Sequence, residues 1–212
     1  MITVRHSVET LFFVAISTAL ILFVMMQRSN HGGLPVFSAL PPIAVALPTP
    51  TDAPNKVQST SMDSPEGSKT LTLESLDNKG TTSYSLFVSA KSDSQRQQIF
   101  KKDEPSGQSL EIPFNTWSSD NAYVFLKEKT SGDENYFVFQ SSGNLFPNET
   151  AYLSVQELFN KKVQNFVIEE ATGWAGPNLL VVNTRSIDGS KKVSFWFDVS
   201  SQSFIQLGTY FK

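Results

Sequence analysis

The chain has 212 residues, a net charge of −3 and a sequence pI of about 5.4, and from Lys69 onward 14 basic residues stand against 16 acidic ones with no block of either sign. Nucleic acid needs a basic patch to displace its counterions, so no nucleic-acid partner is expected. Cysteine is absent, which excludes disulfides, thiolate nucleophiles, iron–sulfur clusters and cysteine-bound zinc.

The first element is Leu11 to Met26, LFFVAISTALILFVMM, in which only Ser17 and Thr18 are polar. At 1.5 Å per residue it reaches roughly 24 Å of the ~30 Å hydrocarbon core, and Val8, Thr10 and the snorkelling ends of Glu9 and Arg28 supply the rest. Residues 1–28 therefore read as an N-terminal membrane anchor, spanning about 8–27, with the remainder of the chain outside the cytoplasm. A secretory signal is followed at once by a small-residue cleavage site, whereas Gln27-Arg28-Ser29-Asn30 follow here, so an uncleaved anchor is preferred. A third reading, a pilin-like N-terminal helix, rests on Glu9 alone.

Residues 29–68 hold seven of the eleven prolines among Ser, Thr, Ala and Gly, with neither helical nor strand periodicity. Such a stretch cannot bury enough to offset its ordering entropy, and it reads as a disordered linker.

Residues 69–212 carry 21 of the 25 aromatic residues, enough for one core. Three segments align: TLTLESLDNKGTTSYSLFV from Thr70, NAYVFLKEKTSGDENYFVF from Asn121 and NLLVVNTRSIDGSKKVSFWFDV from Asn178. Each runs from a strand-like stretch through a polar turn into an aromatic-rich strand. The turns centre on Gly80, Gly132 and Gly189, 52 and 57 residues apart, and Trp117 and Trp174 are also 57 apart. Glycine with neighbouring Asp or Asn tolerates the positive φ of hairpin turns, and a period near fifty residues is in the range of propeller blades. More strand-like material follows each hairpin: Gln98–Phe100 and Leu110–Ile112 in the first unit, Asn165–Ile168 in the second, Ser203–Gln206 in the third. The expected fold is all-β, an incomplete or open propeller-like array of antiparallel hairpins with three or four strands per unit. Its edges are expected to be protected by a helix and the tail, and a β-sandwich is the alternative.

One helix is predicted. Ser154-Val155-Gln156-Glu157 matches a capping box, with Leu153 and Leu158 placed as a hydrophobic staple, which gives a helix over about 155–163.

Trp117-Ser118-Ser119-Asp120-Asn121, followed by Tyr123-Val124-Phe125-Leu126, resembles the W-S-P-D-G-x-x-(I/V)-(A/V)-F opening of TolB-type β-propeller repeats. Serine replaces the proline, and Asn121 replaces the glycine while retaining access to the left-handed conformation. Trp174-Ala175-Gly176-Pro177-Asn178 keeps the tryptophan with a rearranged turn, and the first unit lacks it. The resemblance covers about the last 140 residues. It implies bladed antiparallel sheets, a binding role without catalysis and a bacterial source, and it carries no ligand-contacting residue. Three units are fewer than the four to eight of closed propellers, which leaves pairing with a second copy through open sheet edges as a further expectation.

Both histidines, His6 and His31, lie beside the apolar segment, so histidine-based triads, zinc sites and haem ligation have no residues in 69–212. What remains is carboxylate chemistry at the adjacent pairs Asp103-Glu104, Asp133-Glu134 and Glu169-Glu170, and a carbohydrate-active enzyme using such groups is the alternative function. Ser131-Gly132-Asp133-Glu134-Asn135 lacks calcium-loop spacing and reads as a turn. Phe195, Phe197, Tyr136 and Val138 read as core; Trp117 and Trp174 do too, with an aromatic platform for glycan or peptide as the alternative. No side chain is singled out as catalytic, cofactor-binding or metal-binding, and no cofactor is expected. The leading expectation is a membrane-anchored, non-enzymatic extracytoplasmic binding or scaffolding protein whose partner is an envelope protein or polysaccharide. A structural subunit of a surface or secretion assembly is the third class.

Overall fold

The computed structural model describes residues 56–93 and 95–211; the expected anchor and the linker as far as residue 55 lie outside them. Among the described residues, strands β1 (Gln58–Asp63), β2 (Lys69–Asn78), β3 (Thr81–Ala90) and β4 (Arg96–Pro105) form a first antiparallel sheet in chain order. A second consists of β5 (Ser109–Glu111), β6 (Tyr123–Lys129), β7 (Glu134–Gln140) and β8 (Tyr152–Ser154). Helix α1 (Val155–Lys162) leads to a third, of β9 (Phe166–Trp174), β10 (Leu179–Ser186), β11 (Lys192–Asp198) and β12 (Ser203–Gln206). The three aligned segments are the central hairpins of these sheets, β2–β3, β6–β7 and β10–β11. Their turns form as the residue types require. Lys79 and Gly80 take φ of +30° and +100° in the two-residue β2–β3 connection, and Asp188 accepts from Ser186 Oγ (2.5 Å), Ser190 N–H (3.1 Å) and Ser190 Oγ (2.8 Å) before β11.

Three expected assignments are corrected. β1 falls inside the stretch read as linker: its QSTSMD sequence is polar and almost wholly exposed, so it shows no apolar alternation and is a strand through its backbone pairing with β2. Leu110 belongs to the second sheet, opposite Glu128, and Ile168 to the third, opposite Thr184, rather than to the units that precede them. In both cases a non-local partner overrides nearness along the chain. Each sheet therefore has four strands, and its first strand precedes the hairpin.

The middle sheet is buried on both faces, which explains its consecutive apolar residues. Val124, Leu126, Phe137 and Phe139 pack against Leu71, Leu73, Tyr84, Leu86 and Val88 of the first sheet. Phe125, Tyr136 and Val138 pack against Leu180, Val182 and Phe197 of the third. Each fully buried large side chain contributes about 1.5–3 kcal/mol. The arrangement is three layers deep, unlike the two sheets and single core of a sandwich.

Helix α1 begins as its cap predicts. Ser154 Oγ accepts from Glu157 N–H (3.3 Å), Val163 is the C-terminal cap, and Glu157 in the first turn and Lys161 and Lys162 in the last complement the dipole. Leu153 and Leu158 meet in one apolar cluster, and Phe159 stands edge-on to Phe195 (5.4 Å between centroids) and Phe204 (5.0 Å). The helix thus lies against β7 and against β8 and β12, the last strands of the second and third sheets.

The sheets are joined by a repeated link that runs from β1 to the β5–β6 connection and from that connection to β9. Trp117 Nε1 donates to Met62 O (3.1 Å), and Trp174 Nε1 donates to Thr116 O (3.0 Å). The turns that follow repeat as well. Ser64 N–H bonds Lys69 O (2.8 Å), Gly67 N–H bonds Ser64 O (2.8 Å) and Lys69 N–H bonds Ser64 Oγ (3.1 Å). Ser118 N–H to Tyr123 O (2.9 Å), Asn121 N–H to Ser118 O (3.0 Å) and Tyr123 N–H to Ser118 Oγ (2.9 Å) are the same bonds one sheet later. Gly67 and Asn121 both take the left-handed conformation, φ +66° and +58°. The third turn is one residue shorter, Ala175 N–H to Leu179 O (2.8 Å). Asp63 holds the position of Trp117 and Trp174 in the first sheet.

The outward faces of the stack differ. That of the first sheet is rich in hydroxyls, with Thr70, Thr72, Ser83, Ser85 and Ser89 facing away from the core. That of the third is crossed by the C-terminal tail. Ser194 Oγ donates to Asn183 Oδ1 (2.5 Å) and accepts from Phe211 N–H (2.9 Å), Asn183 Nδ2 donates to Phe211 O (2.6 Å), and Ser194 N–H reaches Thr209 O (3.0 Å).

Gly173 sits at the link between the second and third sheets with φ +136°, and a Cβ there meets Asn115 Cβ at 2.8 Å, whereas Gly176 faces open space. Gly173→Ala is expected to cost about 2 kcal/mol in urea unfolding, and Gly176→Ala less than about 0.5 kcal/mol.

Candidate functional site

Where the first strands converge, the junction opens into a groove of about 720 Å³. β1 and its turn contribute Met62, Asp63 and Pro65; the β5–β6 connection contributes Phe114, Asn115, Trp117 and Ser119; β9 contributes Thr172, Gly173 and Trp174, with Val181 and the tail residue Phe211 completing the wall. Phe114 is 83% exposed, the most exposed large apolar side chain among the described residues. The two tryptophans are fixed by their indole bonds. Trp117 is buried, and Trp174 stacks on Tyr123 (6.1 Å between centroids, 19° between planes) and lies edge-on to Phe125 (6.2 Å). Asn115 Nδ2 reaches across to Thr172 O (3.3 Å), and Gly173, without a side chain, lets this crossing close. The single charged residue in the wall, Asp63, is held below the usual carboxylate range by Lys91 Nζ (2.8 Å) and Thr70 Oγ1 (2.7 Å) and faces the groove as an anion.

The carboxylate pairs lie elsewhere. Glu169 and Glu134 line a second cleft of about 770 Å³, together with Glu128, Asp133, Glu157 and Arg185. Glu169 is lowered by Lys192 Nζ (2.8 Å) and, further, by Tyr210 (3.1 Å). For Glu134, burial pushes upward, but Lys127 and Tyr136 outweigh it and the carboxyl is also lowered. A glycosidase acid needs the opposite, a raised carboxyl that still holds its proton. Glu170 is exposed on β9, and Asp103 is engaged by Ser83 Oγ (2.6 Å). Asp133 closes the β6–β7 turn through its carbonyl, which accepts from Thr130 N–H (2.9 Å).

Glu104 has a different environment. It is 2% exposed at the junction of the first two sheets, near Glu128, which is also buried, and Lys102 pairs with both. Glu104 Oε1 is 2.6 Å from Lys102 Nζ but off the angle of a hydrogen bond, so this oxygen lacks a directed donor. Burial above all, with Glu128 adding to it, raises the Glu104 carboxyl against the pull of Lys102.

The expected core residues Phe195, Phe197, Tyr136 and Val138 are buried. Trp117 and Trp174 serve as both core and groove wall. Phe114 and the turn Ser64-Pro65-Glu66-Gly67 were not legible as site residues. The 54-residue spacing from Ser64 to Ser118 is the signal that finds the turn, and Phe114 carries none, being one apolar residue in a polar connection. Compared with known protein families, curated proteins and solved structures, the chain matches none.

Because the Glu104 carboxyl is raised in the folded state, its favourable contribution is complete below the unfolded value of about 4.3 and is lost as pH rises through the folded value. Glu104→Gln is expected to raise the urea midpoint at pH 8, with the gain vanishing toward pH 4. An equal gain at both pH values contradicts the assignment.

Proposed function

We propose that this chain is a membrane-anchored, extracytoplasmic binding protein without catalytic activity, whose propeller-like β-domain takes its partner in the groove formed by its first strands. The observation that carries the reading is the open aromatic groove, at whose wall Phe114 is the most exposed large apolar side chain among the described residues. A large exposed apolar side chain at a concave site is a mark of binding surfaces.

Two further features support it. Asp63-Ser64-Pro65-Glu66-Gly67 matches three of the five residues of the W-S-P-D-G opening of TolB-type repeats, as many as the copy at Trp117 does, and makes the same turn. The apolar run Leu11–Met26 and the proline-rich residues after it suit a domain tethered at a bilayer, where an envelope protein or polymer is the natural partner. The tail over the third sheet and the hydroxyl-rich face of the first favour a stack that needs no second copy to cover apolar surface.

Protease added to intact cells is expected to release the domain, and Phe114→Ala to lower retention of the purified chain on isolated cell envelopes at least fivefold. Protection until lysis contradicts the topology. Unchanged retention contradicts the groove.

A further inference from the structure

The edges of the three sheets are not alike. β4 carries Arg96, Lys101, Lys102, Asp103 and Glu104 and ends at Pro105. β5 and β8 have three residues each, β9 has two register shifts, and β12 has four residues and runs into the tail. Charge, proline, shortness and bulging are the usual means by which an edge refuses another chain. β1 has none of them before its last residue, Asp63. Its six residues pair with β2 in unbroken register, are neutral up to Asp63 and contain no proline, and five are exposed. Among the described residues no strand pairs with its second edge.

That edge borders the groove through Met62 and Asp63. The groove has little to offer a sugar, because both indole N–H groups are committed to Met62 O and Thr116 O and the Asn115 amide donates to Thr172 O. What it does offer is backbone hydrogen-bonding capacity along β1, beside the ring of Phe114. The charge at this end is negative: Asp63, Glu66 and Asp120 lie in or beside the two equivalent turns, partly offset by Lys91, bound to Asp63, and by Lys69, whose Nζ donates to Asn121 O.

We propose that an extended polypeptide segment bearing a basic side chain adds to the free edge of β1 as a fifth strand. Alternate side chains of the part that lies beside Met62 and Asp63 enter the groove near Phe114 and Trp174, because successive residues of a strand point to opposite faces. This rests on the reading of the groove as the binding site and specifies what occupies it.

The test is a displayed library of random nonapeptides panned on the full chain in detergent micelles. The expected enrichment has apolar residues at every second position and a Lys or Arg, and it falls at least tenfold on Phe114→Ala, a substitution at an exposed position that leaves the circular dichroism spectrum unchanged. Methylating alternate backbone amides of the best peptide is expected to weaken it at least tenfold in one of the two phases. Enrichment without the two-residue period, enrichment independent of Phe114, or equal binding of both methylated peptides and their parent overturns the inference. If peptides fail while chitin oligosaccharides bind in a Phe114-dependent manner, the groove stands and the strand addition falls. If neither binds, both fall.

Discussion

An indole N–H reaching a backbone carbonyl one sheet earlier is the interaction on which the rest of this domain depends. It occurs twice, from Trp117 to Met62 O and from Trp174 to Thr116 O. The first bond fixes the β5–β6 connection against β1, and the second fixes β9 against that connection. An antiparallel meander could otherwise slide along its neighbour, since apolar contact is non-directional and a directed hydrogen bond supplies the register. With these segments fixed, Leu71 and Leu86 meet Val124 and Leu126 at one interface and Phe125 meets Leu180 and Val182 at the next. The same bonds leave the indole rings standing in a wall, so the groove is a by-product of the way the sheets are joined.

The ends of the stack show how a three-sheet array copes with unpaired faces. A repeat needs its terminal units to be atypical, with a polar outer surface. Here one end carries serine and threonine with Phe87 covered by Arg96, and the other is closed by residues 207–211 bound to the buried pair Asn183 and Ser194. Burial of that polar pair is tolerable because its groups find partners in each other and in the tail. The Lys102, Glu104 and Glu128 cluster between the first and second sheets is less well matched, with one carboxylate oxygen lacking a directed donor.

Much of this was legible in the sequence, and the parts that were not share a cause. The hairpins at Gly80, Gly132 and Gly189 and the helix after Ser154 are written in local signals, turn residues at fixed offsets and a capping box, and all four formed where those signals lie. The consecutive apolar residues Tyr136 to Phe139 read as a strand buried on both faces and are so, whereas in Phe195-Trp196-Phe197 the middle residue stays partly exposed. β1 escaped because an exposed strand of small polar residues looks like linker, and a proline beside Ser64 strengthened that impression although it serves a tight turn. β5 and β9 were given to the wrong units because sheet membership is a long-range property that chain proximity does not encode. Of the groove, the tryptophans were visible by their spacing. Their neighbour across the gap, Phe114, becomes meaningful only when the first strands are brought together.

The three tryptophans of the chain allow the central claim to be tested directly. Trp117 and Trp174 donate their indole protons to backbone carbonyls, whereas the buried Nε1 of Trp196 has no acceptor. Indole hydrogen exchange followed by nuclear magnetic resonance is the measurement. If the links hold the sheets together, the Trp117 and Trp174 protons exchange only with global unfolding, at a rate that tracks denaturant stability, and Trp196 exchanges faster. If the Trp117 and Trp174 protons exchange through local opening while the backbone amides of β6 and β10 stay protected, the sheets are held together without the indole links and the account is wrong.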